Sequence, residues 1–406
     1  MPAAETLLAP LAPSMPSTAV EAGIACVDVF VSLAEAHRDW TELEAIDCAS
    51  PYQSFAFAEA WFSTVGAATG AQPFIVVARE ALGRPAALLP LAQRRVGPLA
   101  VAAFPGGKDS NFNLGLFRPG RRWSAGALRS LLRAAARATP ARVDCFALLN
   151  QPRSWQGVRN PISALGGRPS PSFAYKSELP LTFAAWRDAH ASKEEQKKLR
   201  KLAQKLEPMG PVAHVAARNE AEAARILDTF LEAKRERARS EGPANPYESQ
   251  ATRDFLGRLA IQGLAEGRPP LELHALMLGD RIVATFGALP GRRRLCGLLL
   301  AYDLDPEIAR CGPGRLLLRE AVRSAIERGF ETFDLGVGEA RYKGELCESA
   351  EALFDTFVAT SALGRAAAPK RSPLLTAAAA RLGAALRRPF NRPLRAPASA
   401  AASRTQ

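Results

Sequence analysis

The stretch from Leu295 to Lys343 restricts the fold more than any other part of the chain. Leu295–Tyr302 (LCGLLLAY) is an apolar run with the character of a buried strand, and the turn Arg310-Cys311-Gly312-Pro313-Gly314-Arg315 follows it. From Leu316 to Arg328 the apolar residues Leu317, Leu318, Ala321, Val322, Ala325 and Ile326 recur at helical spacing. Pro313 suits the first helical position, and Gly329 suits a left-handed cap at the end. Thr332-Phe333-Asp334-Leu335 reads as a returning strand, and Gly-Val-Gly-Glu-Ala-Arg-Tyr-Lys (336–343) reads as a loop. The result is a βαβ-like unit. A helix that opens at a glycine turn offers backbone N–H groups and a positive dipole end to a phosphate.

The chain has 406 residues, room for about two domains. Residues 1–25 are rich in Ala, Pro and Ser, which predicts a disordered leader. The spacing predicts strands at 24–30, 73–79, 84–93 and 143–149, and helices at 33–46, 55–65 and 124–139. Gly106–Asn113 reads as a loop. A Pro/Gly/Ser-rich stretch, Asn160–Ser172, separates this unit (26–160) from a second one (173–361). There, helices are predicted at 192–206, 220–240 and 252–266, with a strand at 212–216. Two strands, 271–278 and 281–289, are joined by the hairpin signal Gly279-Asp280. The two units have a similar succession of elements.

Composition excludes several classes. No run of about 20 apolar residues suggests a membrane span. No basic n-region precedes an apolar stretch, so no signal peptide is expected. The six cysteines are scattered singly, without metal-ligand spacing, which predicts reduced thiols in a cytoplasmic protein and no metal. Of the net charge of +13, nine units come from basic residues after Asp355, where no acidic residue occurs. The rest of the chain is near neutral, which argues against nucleic acid as a partner. Within the tail (362–406), Pro373–Arg388 has an amphipathic basic pattern, and a peripheral contact with an anionic membrane is expected there.

The candidate site residues lie in and around the βαβ unit, and the thioester chemistry assigned to them is what the family resemblance carried by the same residues, given next, implies. Arg310, Gly312, Gly314, Arg315 and Leu316 would hold a diphosphate through amides and charge, with amides of Gly314, Arg315 and Leu316 as donors. The Leu298-Leu299-Leu300 backbone would hold a carbonyl and an extended thioester arm. Lys343 would bind an acidic acceptor or stabilise an oxyanion, and Tyr342 would protonate a departing thiolate. Glu339 and Asp303 are candidate bases, whereas Asp334 reads as structural. On the capped helix 192–206, Lys197, Lys198, Arg200 and Lys201 form a basic face that would contact an anionic acceptor. No nucleophile elbow is present, so direct transfer is the simpler chemistry.

Tyr302-Asp303, Pro313-Gly314-Arg315-Leu316-Leu317, Gly329, Phe333-Asp334 and Tyr342-Lys343 together resemble the GNAT-like acyltransferases of bacterial cellulose biosynthesis (CelD-type). These are related to Fem-type peptidoglycan aminoacyltransferases. Ala309 stands where a general acetyl-CoA signature has Arg or Gln, and Gly344-Glu345-Leu346-Cys347 replaces the usual aromatic after Tyr-Lys. The resemblance implies an α/β (α+β) fold of two tandem GNAT-like subdomains with mixed central sheets flanked by helices. It also implies acetyl-CoA or another acyl-CoA as co-substrate, and a sugar, polysaccharide or cell-envelope precursor as acceptor. The alternatives are an aminoacyl-tRNA-dependent transferase and a non-catalytic scaffold in exopolysaccharide or cellulose synthesis.

Overall fold

In the computed structural model, residues 20–367 are described, apart from 22, 47, 108–109, 139–141, 242–244 and 339–340. The expected leader (1–25) lies mostly outside them, and so does the tail after 367 with its 373–388 segment. The first half runs β1 (Cys26–Phe30), α1 (Leu33–Glu44), α2 (Phe55–Trp61), β2 (Gln72–Arg79), β3 (Pro85–Val96), β4 (Leu99–Ala103), α3 (Ala125–Arg137), β5 (Cys145–Pro152) and β6 (Arg168–Glu178). Helices α4 (Phe183–His190) and α5 (Lys193–Leu206) link the halves. The second half repeats the order as β7 (Val212–Ala216), α6 (Glu220–Glu241), α7 (Gln250–Ile261), β8 (Glu272–Leu278), β9 (Arg281–Pro290), β10 (Arg294–Tyr302), α8 (Pro313–Glu327), β11 (Thr332–Val337) and β12 (Ser349–Ala359), with the short helix α9 (Arg341–Leu346) before β12.

The strands form one mixed sheet in the order β7-β8-β9-β10-β11-β6-β12-β5-β4-β3-β2-β1. Neighbours are antiparallel except β10 with β11 and β4 with β5, which are parallel. Each parallel pair closes a crossover through a helix, α8 or α3, as a parallel connection requires. The last strand of each half is exchanged. β6 pairs with β11 of the second half, and β12 pairs with β5 of the first.

Apolar faces pack on both sides of this sheet. Leu317, Leu318, Ala321, Val322 and Ala325 of α8 are buried against Val283, Phe286 and Phe333. The segment 160–172, expected to be a linker, enters the sheet at Arg168. The 336–343 segment, expected to be a loop, ends in α9.

Candidate functional site

Strands β10 and β11 run together only at their starts, where Arg294, Leu295 and Cys296 face Thr332, Phe333 and Asp334. Beyond that point they diverge. On the other edge of β10 the register with β9 slips by one residue, because Gly297 faces Ala288 and Leu299 faces Gly287. Leu298 is therefore the extra residue of a β-bulge, a feature that bends a strand and re-aims its side chains. The lack of a side chain at Gly297 permits this, since a Cβ there would lie 2.8 Å from the Asp334 carbonyl oxygen. From Leu298 onward β10 has no ladder on its β11 side. Leu300, Tyr302, Leu316 and Tyr342 are half-buried and pack against the same apolar cluster as α8.

Helix α8 starts at the divergence. Gly312 is its N-cap at φ 63°, the left-handed region that favours glycine, and Pro313 is its first residue. The amides of Arg315 and Leu316 both donate to the Gly312 carbonyl, at 3.0 and 3.2 Å. Of the three amides expected to be open to a phosphate, these two are thus satisfied within the turn. Gly314 N–H is the one left. Gly314 is buried, and a Cβ on it would stand 3.3 Å from the Tyr302 ring. The guanidinium of Arg315 pairs with Glu345 at 3.0 Å, and that of Arg310 pairs with Glu307. Leu202 of α5 approaches Gly312 from outside.

Three side chains from separate elements meet at the far end of β10. Arg237 of α6 donates to the Tyr302 hydroxyl at 3.4 Å and lies 5.7 Å from its ring centroid. Burial pushes the Tyr342 phenol up to about 12; Cys347 adds to this and Arg237 opposes it. Next to Tyr342, Lys343 is 6% exposed, and its ammonium donates to the carbonyls of Gly336 (3.2 Å) and Val337 (3.0 Å). Burial lowers this lysine to about 8, against the pull of Asp334 and Cys347. An ammonium has three N–H donors, so one remains beyond these two carbonyls.

Other expected residues are placed differently. Asp303 is tied to Arg281 at 2.6 Å and accepts from the Asp305 amide at 3.0 Å, so both of its oxygens are engaged. Glu339 lies outside the described residues. Lys197, Lys198, Arg200 and Lys201 are all exposed, while Leu199 and Leu206 turn the inner face of α5 to the protein. Their helix passes beside the glycine turn, where Leu199 shares a small pocket with Arg315 and Glu345 and Leu202 approaches Gly312. Among the described residues, no group of three or more His, Cys, Asp or Glu side chains is placed to hold a metal.

Sequence reasoning assigned no role to Asn111 or Arg237. Asn111 comes from the first-half loop and inserts its carboxamide between β10 and β11. The signal that could have pointed to it is Gly336, at φ 71°, where a Cβ would lie 2.3 Å from Asn111 Nδ2. Two cavities flank the site. One of about 390 Å³ lies beneath α6 and is lined by Thr229, Glu236, Arg281, Thr285, Tyr302 and Asp303. The other, of about 290 Å³, lies in the first half, lined by Phe104, Asn111, Asn113 and Ser172, and reaches the second half at Val337.

This geometry meets the comparisons with known proteins at the same place in the chain. Residues 193–344 match the acetyltransferase (GNAT) domain family. FemX superposes with a TM-score of 0.54 at 10% identity, over 81% of this chain and 96% of FemX. The C-terminal domain of a protein from Agrobacterium fabrum, assigned as a lysylphosphatidylglycerol synthetase, superposes with a TM-score of 0.51 at 11% identity, over 87% of this chain and 96% of that domain. The fold is GNAT-like. No curated protein sequence matches. In this GNAT-like frame, the matched segment runs from α5 to α9 and contains the β-bulge, the glycine turn, Tyr342 and Lys343. No described helix is long and apolar enough to cross a membrane.

Proposed function

We propose that the chain is an acyltransferase that takes its acyl group from acyl-CoA, with acetyl-CoA the first donor to test, and passes it to a nitrogen or oxygen of a sugar, polysaccharide or cell-envelope precursor. The reading rests on one observation, the divergence of β10 from β11 at the Leu298 bulge. The unpaired edge of β10 provides main-chain groups to hold an extended thioester arm. The acceptor attacks the thioester carbonyl carbon directly, the C–S bond breaks, and the thiolate leaves as CoA. Lys343 offers its remaining N–H to the oxyanion. Tyr342 keeps its proton at neutral pH and delivers it to the departing sulfur, and the proton that the acceptor nitrogen or oxygen loses as its bond to the acyl carbon forms restores the phenol. The 390 Å³ cavity, which shares Tyr302 with the site, gives the acceptor room.

Binding of acetyl-CoA, followed by calorimetry, tests this reading. Micromolar binding that Gly314→Asp abolishes is expected, because a carboxylate there would press on Tyr302 and repel the diphosphate. Absence of binding by both acetyl-CoA and free CoA would overturn it. A second reading takes the acyl group from aminoacyl-tRNA. It is favoured by the closed turn at Gly312, where Arg310 and Arg315 already have carboxylate partners. Salt-sensitive tRNA binding that survives removal of residues 368–406 would select it.

A further inference from the structure

Asn111 belongs to the first half, yet its hydrogen bonds reach the second. Its Nδ2 donates to the Gly297 carbonyl on β10 at 3.0 Å and to the Tyr52 hydroxyl at 2.6 Å. Its Oδ1 accepts from the Val337 amide on β11 at 3.1 Å. The orientation is fixed by chemistry, since a main-chain amide can only donate and a carbonyl can only accept. One side-chain amide therefore spans the gap where the two strands have ceased to pair. The site is built around it. Asn111 is 9% exposed, and Gly336 takes up a left-handed conformation where any side chain would strike the carboxamide.

The peptide units that Asn111 fixes also hold the lysine. Lys343 donates to the carbonyls of Gly336 and Val337, and Asn111 binds the amide of Val337 from the other side. The Gly336 amide is in turn held by the Asp334 carboxylate. We infer that Asn111 is a positioning residue, contributed by the first half, that sets the Gly336–Val337 main chain and through it the Lys343 ammonium at the second-half transfer site. Its importance for catalysis rests on the function proposed above, but its effect on Lys343 does not. The groups facing Lys343 are Asp334 of β11, Cys347 after α9 and the Tyr175 ring of β6, 5.8 Å away. None of these is altered by changing Asn111.

The test follows the titration of Lys343 in the full chain, by pH-dependent acetic anhydride labelling read by mass spectrometry. Asn111→Ala and the neutral, similarly sized Asn111→Leu, neither of which brings a charge near the ammonium, are compared with the unaltered protein. In both variants the freed main chain lets water reach the ammonium, and the Lys343 midpoint is expected to rise by a unit or more toward the ordinary lysine range. An unchanged midpoint in a folded variant would overturn the inference. A second measurement needs no variant. The Val337 amide should exchange slowly with solvent deuterium, and rapid exchange there would also overturn it. If the midpoint moves and acetyl-CoA still binds, kcat should fall more than tenfold at unchanged thioester affinity. If the midpoint moves but no acyl donor binds, the positioning role stands and the proposed function fails.

Discussion

The Arg294 guanidinium of the second half lies 4.4 Å from the Trp155 ring centroid of the first. Its other aromatic neighbour, Phe112, is 4.6 Å away, so the cation rests against two rings of the opposite half that pack on each other with centroids 5.2 Å apart. It also pairs with Asp334, which is fully buried, and with Glu351 at 3.2 Å. Removing one member of such a cluster leaves an uncompensated charge. Arg294→Met is expected to cost about 3–5 kcal/mol of stability, measured by urea unfolding. Arg294→Lys should recover only part of this, because an ammonium cannot reproduce the planar stacking.

Lys343 sets a pH dependence. Folding lowers it from 10.5 to about 8, chiefly through burial. Between those two values the unfolded chain binds more protons than the folded one, so this group makes stability rise with pH across that window. Stability measured against Lys343→Met should show this rise from about pH 8 upward. If the ammonium is the working form, kcat falls as pH increases through about 8.

Tyr342 carries a separate expectation. Its phenol, pushed up to about 12, retains its proton throughout the neutral range. Tyr342→Phe should reduce kcat about a hundredfold, within the usual range for loss of a general acid. Thioester affinity, measured by calorimetry, should not change.

His214 governs acid stability at the β7 edge. Its ring stacks on His274 with centroids 5.3 Å apart. Burial, with the nearby His274 and Arg323 charges, lowers it from 6.5 to about 4. The unfolded chain therefore binds the extra proton between those values, and the stability associated with neutral His214 is lost as pH falls from 6.5 to 4. His214→Val should flatten the decline of Tm over that interval.

How much of this was legible follows from where the information sits. The unit from β10 to β11 could be read from the chain because its apolar periods are long and its glycines mark the turn and cap. β6 was hidden by Pro169 and Pro171, which suggest a linker. The strand tolerates them because its register with β12 shifts between Pro169 and Phe173, and its ladder with β11 starts only at Ala174. Helix α9 is too short to show a period and contains Gly344. Asn111 could not be recognised locally, since its partners Gly297 and Val337 lie 186 and 226 residues away. The closed turn at Gly312 is likewise a matter of main-chain direction, which residue types alone do not specify.

The exchange of β6 and β12 sets the order in which the molecule can be completed during synthesis. β5 waits for β12, whose Phe354 pairs with Gln151, so the first half emerges from the ribosome with an open strand edge. Such long-range pairing slows folding and leaves an interval in which another nascent chain could fill the gap. Cutting the chain between β6 and α4 would leave each fragment holding a strand that belongs in the other's sheet, so two such fragments should recover structure only when mixed.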